Sequence, residues 1–121
     1  GIRCRLLNVY RKNGYLLFEV RITNRTGLAY NVEGFHWWIG DKRRLKATNV
    51  QEYEIFPVAR CCGVRNIPGN TTLREVFIIP KLILPEQRIL RLEMLEEALG
   101  NTGRKLSMRI KNRTILRARS L

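Results

Sequence analysis

The chain has 121 residues, 45% of them apolar, and carries 23 Lys and Arg against 10 Asp and Glu for a formal net charge of +13. That length builds one hydrophobic core and that apolar share excludes a disordered tail. No apolar run approaches the roughly 20 residues of a membrane helix, and an odd cysteine count (Cys4, Cys61 and Cys62) excludes a closed disulfide set.

The chain opens at Gly1-Ile2 already inside a strand pattern, as a piece cut from a longer protein would. Period-two alternation recurs along it and helical periodicity is nearly absent. Residues 2–11 read as a first strand. Lys12-Asn13-Gly14 follows as a tight hairpin turn, because Asn-Gly suits the positive φ angles of a type I′ turn. Residues 15–24 return as a second strand, with Leu16, Phe18, Val20 and Ile22 on one face and Glu19, Arg21 and Thr23 on the other. After a loop around Gly27, residues 30–39 form a third strand. Gly40-Asp41-Lys42 then turns into a short basic strand near 43–48, and 50–58 gives another strand ended by Pro57.

Residues 59–71, with their Gly, Pro and Asn, have loop chemistry. Residues 72–79 form the next strand, and Pro80 and Pro85 bracket an extended link. Residues 87–97 mix strand alternation (Leu90, Leu92, Met94) with helix-favouring composition. A strand is preferred there, because Gly100-Asn101-Thr102-Gly103 can close a hairpin onto a last strand at 104–119. The expectation is one all-β domain over 1–121, an immunoglobulin-like antiparallel β-sandwich of about seven to nine strands.

Two features invite a functional reading. In Phe35-His36-Trp37-Trp38-Ile39 the two tryptophans must face opposite sides of a strand. Parity with Phe35 and Ile39 sends Trp37 to the core and leaves Trp38 as an outward interface anchor, or covered by a neighbouring loop or strand. In the last strand, Lys105, Arg109, Lys111, Arg113, Arg117 and Arg119 share one parity, so an unbroken strand would carry them as a stripe with about 6.6 Å between alternate residues. Arg43, Arg44 and Lys46 add a second basic cluster. The stripe suits an anionic protein surface, a nucleic-acid backbone, or an edge strand whose charges deter pairing with other sheets. It has no interleaved aromatics, which weighs against nucleic acid.

Catalysis finds no such support. His36 is the only imidazole, no nucleophile motif accompanies it, and no Gly-rich phosphate cradle occurs. No catalytic residue, cofactor or metal ligand is expected, and the cysteines are read as free thiols, with a bridge from Cys4 to Cys61 or Cys62 as the alternative.

Taken in order, several short segments resemble the conserved domain of the TraN family of Bacteroidetes conjugative transposons. They are Thr23-Asn24-Arg25 before Tyr30-Asn31-Val32, Phe35 through Ile39 before Asp41-Lys42, and Lys46-Ala47-Thr48 with Gln51-Glu52. Ile67-Pro68-Gly69, Phe77 with Pro80-Lys81, and Lys111-Asn112-Arg113 with Arg117-Ala118-Arg119 complete the set. The Cys61-Cys62 pair is outside that pattern. The resemblance implies an exported β-sandwich fragment at the periplasmic face of the outer membrane. It implies a structural and assembly role in a type IV secretion-like mating channel, with other channel proteins, a small lipoprotein among them, as partners. Nucleic acid is the alternative partner, reached through the basic surface.

Overall fold

Alternating apolar residues build two facing sheets. The computed structural model describes residues 1–43 and 51–121. Strands β1 (Ile2–Lys12) and β2 (Tyr15–Asn24) form a hairpin whose turn residues Asn13 and Gly14 have φ of 53° and 81°, as a type I′ turn demands. β3 (Tyr30–Asp41), β4 (Tyr53–Ile55), β5 (Ala59–Arg60), β6 (Asn66–Ile67), β7 (Thr71–Pro80), β8 (Arg88–Glu96) and β9 (Lys105–Ile110) follow. After one helical turn, α1 (Asn112–Leu116), the chain closes with β10 (Arg119–Ser120).

The first sheet runs β10-β1-β2-β7-β5, and the second runs β4-β3-β8-β9 with β6 also paired to β3. All pairings but that of β1 with β10 are antiparallel. This is an all-β sandwich, as the alternation predicts. Its core is stitched by rings from both sheets. Trp37 of β3 lies 5.1 Å from Phe18 and 5.2 Å from Phe77, and Phe35 lies 5.1 Å from Phe77. Leu16, Val20 and Ile22 of β2 and Leu90, Leu92 and Met94 of β8 complete it, all buried. The 87–97 segment is therefore a strand.

The structure departs from the sequence reading in three places. The strand expected over 50–58 is confined among the described residues to Tyr53–Ile55. The 59–71 loop contributes two short pairings, Ala59–Arg60 with β7 and Asn66–Ile67 with β3. The expected strand over 104–119 breaks after Ile110. Ile115 and Ala118 are both buried at a spacing of three, which a helical turn satisfies and a strand cannot. Asn112 fixes the break by accepting a hydrogen bond from the Leu84 backbone N–H at 2.9 Å. The turn carries the chain from the second sheet across to the first, where Arg119 pairs beside Tyr10. The basic strand expected near 43–48 lies, beyond Arg43, outside the described residues.

Buried polar groups hold the connections. Asn24 donates from Nδ2 to the Leu28, Ile67 and Pro68 carbonyls and accepts from Thr26. Glu75, fully buried on the inner face of β7, accepts from the Cys62 and Val64 backbone N–H groups at 2.8 and 2.9 Å and lies 3.6 Å from Arg60. A carboxylate with that many donors is a post for the 61–65 loop, since an unsatisfied buried acceptor would be costly.

Candidate interaction surface

The residues nominated from the sequence do not form one stripe. Lys105 and Arg109 share the outer face of β9, an edge strand of the second sheet. Lys111 and Arg113 sit at the start of α1 and, with Lys42, Glu86 and Arg88, line a recess of about 410 Å³. Arg109 donates to the Lys42 carbonyl, so these cations share one corner of the molecule. Arg117 ends α1, while Arg119 lies on the first sheet, its guanidinium 5.7 Å from the Tyr10 ring. The helical turn after Ile110 divides the six charges between two sheets and a corner. Arg43 is exposed, and Arg44 and Lys46 lie outside the described residues.

Trp37 is fully buried, as parity requires, and Trp38 is on the opposite face of β3. Trp38 is half-buried rather than presented as a bare anchor. His36 stacks at 6.4 Å, Arg91 lies 5.9 Å over the ring, and the indole donates to Glu93 at 3.3 Å. Several of the surrounding charges are paired. Arg91 reaches Glu52 at 3.0 Å and Glu93 at 3.3 Å, His36 Nδ1 lies 2.7 Å from Glu54, and Arg88 lies 3.0 Å from Asp41. At the end of this sheet Arg104 binds Glu96 at 2.6 Å and donates to Thr26 and the Ala29 carbonyl. These hydrogen bonds hold the Glu96 carboxyl below the usual carboxylate range.

The first sheet is different. Its outer face brings together Arg3, Arg5, Arg21, Thr23, Arg25 and Thr72, which line a basin of about 300 Å³. The register sets Arg5 directly opposite Arg21 and Arg21 directly opposite Arg74, three guanidinium-bearing residues in a row on β1, β2 and β7. Glu19 is the only carboxylate among the described residues of that face, and it is engaged by Arg74 at 2.9 Å and Asn8 at 2.7 Å. Like charges directly opposite one another destabilise a sheet, so this cluster works against folding.

Sequence reasoning placed Arg21 and Thr23 outward but missed the cluster. The reason is a bulge. A two-residue hairpin with unbroken register would put Arg5 opposite Ile22. One extra residue between Leu6 and Asn8 instead pairs Arg5 with Arg21 and Arg3 with Thr23. The signal was present in Leu6-Leu7, where apolar parity changes phase along β1.

The thiols offer no comparable site. All three cysteines are free, and burial pushes the Cys4 thiol up to about 11, which keeps it protonated and unreactive. Among the described residues no group of three His, Cys, Asp or Glu side chains converges on a metal position, and no helix is long and apolar enough to cross a membrane.

The fold and this surface define a class, a β-sandwich whose two outer faces differ in charge pairing. The chain belongs to the family described as a domain of unknown function, DUF4138, which it matches over residues 1–120. No curated protein and no solved structure matches it.

Proposed function

We propose that this chain is a structural and assembly component of a conjugative transfer apparatus of the type IV secretion kind, acting by protein–protein contact at the periplasmic face of the outer membrane. The observation that carries the contact role is the outer face of the first sheet. Its arginines are gathered against electrostatic cost, with Glu19 the single carboxylate beside them. A surface that folding alone would disperse is a surface kept for a partner.

The place in conjugation rests on the ordered segments that resemble the TraN family. Two of these segments meet in space, and residues of two others hold neighbouring strands and loops. Asn24 bonds the carbonyls of Ile67 and Pro68, and Gly69 sits where a Cβ would fall 2.7 Å from the Thr26 carbonyl oxygen. Tyr30 donates to the Arg104 carbonyl at 2.6 Å, and Asn112 holds Leu84. The likeness is thus carried by residues that pin loops to strands, so it speaks for a shared framework before a shared contact.

Affinity capture of the tagged chain from conjugating donor cells tests the role. Other proteins of the transfer apparatus are expected among the captured species, and deletion of the gene is expected to abolish transfer. Capture of none of them, with transfer unimpaired, overturns the assembly reading. Nucleic acid is the second reading, favoured by the same concentration of arginines. Tight binding of short duplex DNA, with the steep salt dependence of released counterions, would put it first.

A further inference from the structure

Two neighbouring patches on the outer face of the first sheet differ in chemistry. At one end stand Arg3, Arg5, Arg21 and Arg25 around the Thr23 and Thr72 hydroxyls, which are 3.3 Å apart. Toward the other end the register lines up Tyr10, Leu17 and Ile78 across three adjacent strands, all partly exposed, and continues to Ala59. Along β2 the two rows, at Arg21 and Leu17, are four residues apart, or about 13 Å.

We propose that this face docks an acidic segment of a partner protein, whose carboxylates enter the arginine basin while adjoining apolar side chains cover the Tyr10, Leu17 and Ile78 row. The inference rests on the assembly role above and names the chemistry of its partner. Three observations favour a protein segment over nucleic acid. The arginines gather at one end of the face and Glu19 interrupts them toward the other, whereas a nucleic-acid backbone needs a cationic track. The adjoining row is mainly aliphatic, and the ring of Tyr10 already carries the Arg119 guanidinium, so base stacking has no open platform there. Guanidinium forks engage carboxylates in bidentate fashion, and several around one basin select a cluster of them.

Fluorescence anisotropy with a fluorescein-labelled Asp-Glu-Glu-Asp-Leu-Val-Leu peptide tests this. The native chain is expected to bind it. Arg5→Glu/Arg21→Glu is expected to weaken binding at least tenfold. Lys81→Glu/Arg65→Glu, an equal charge change away from the basin, is expected to stay within twofold of the native chain. An unlabelled 20-base-pair duplex is not expected to displace the peptide. Equal losses in the two double variants would show a diffuse field instead of a site, and displacement by the duplex would assign the face to nucleic acid. Either result, or absence of peptide binding, overturns the proposal. Melting curves confirm folding, and Arg3→Gln/Arg25→Gln carries the same test should the first pair not fold. A chain that fails to bind the peptide yet still captures transfer proteins loses this docking site and keeps the assembly role.

Discussion

The two sheets of the sandwich both carry arginines, but carboxylates accompany more of them on the second sheet than on the first. On the outer face of the second sheet, Arg91 lies between Glu52 and Glu93 with Arg109 directly opposite it, and at the ends of that sheet Arg88 meets Asp41 and Arg104 grips Glu96. On the first sheet, Arg5, Arg21 and Arg74 stand side by side across three strands, with Glu19 alone to offset them. Arginines of the first kind support the fold, by pairing and by covering rings such as Trp38 and Tyr30. Those of the second kind oppose it. Net charge therefore says less about function than local pairing does.

This difference can be broken by substitution, most severely at the end of the second sheet. Arg104→Ala removes donors from Glu96, Thr26 and the Ala29 carbonyl, and is expected to cost about 2 kcal/mol in a urea titration after allowance for its partial exposure. The pH dependence has a definite sign. The folded-state pKa of Glu96 is depressed, so its stabilisation is complete above the ordinary carboxylate value of about 4.3 and is lost as pH falls through the depressed value. Arg104→Ala should flatten that acid-side loss. Next in size, Arg91→Ala should cost about 1–2 kcal/mol, because it removes donors from Glu52, Glu93 and Ser107 and uncovers Trp38. A neutral outcome at both positions would erase the contrast between the faces.

The smallest effect has the opposite sign. Arg21→Glu places a carboxylate between Arg5 and Arg74 and is expected to stabilise the fold by about 0.5 kcal/mol. Added salt should stabilise the native chain more than this variant, since screening relieves a repulsion that the variant no longer has. Destabilisation by Arg21→Glu would show that the row is structural and not held for a partner.

Much of the framework was legible in the sequence because alternation, Asn13-Gly14 and the parity of Trp37 are local signals. β2 and β7 follow from them directly, and β8, where strand alternation competes with helix-favouring composition, follows from the turn signals after it. What escaped depended on contacts between distant segments. Ile115, apolar among the charged parity of the last segment, was the sign that 104–119 bends, and overlooking it produced a stripe that the chain does not have. Glu75 between Leu73 and Phe77 marked a buried post, but its partners at Cys62 and Val64 come from a loop that alternation cannot place. The arginine basin needed the phase change at Leu6-Leu7 to be read as a bulge, because only the register across β1, β2 and β7 turns scattered cations into a cluster.

Amide chemical-shift mapping of the ¹⁵N-labelled chain, titrated with the acidic peptide, shows which sheet receives a partner. Perturbations are expected to be confined to the first sheet, at Arg3, Arg5, Arg21, Thr23, Arg25 and Thr72 and extending toward Leu17 and Ile78. Shifts centred instead on Trp38, Arg91 and Arg109 of the second sheet, or spread evenly over both faces, would contradict docking on the first sheet.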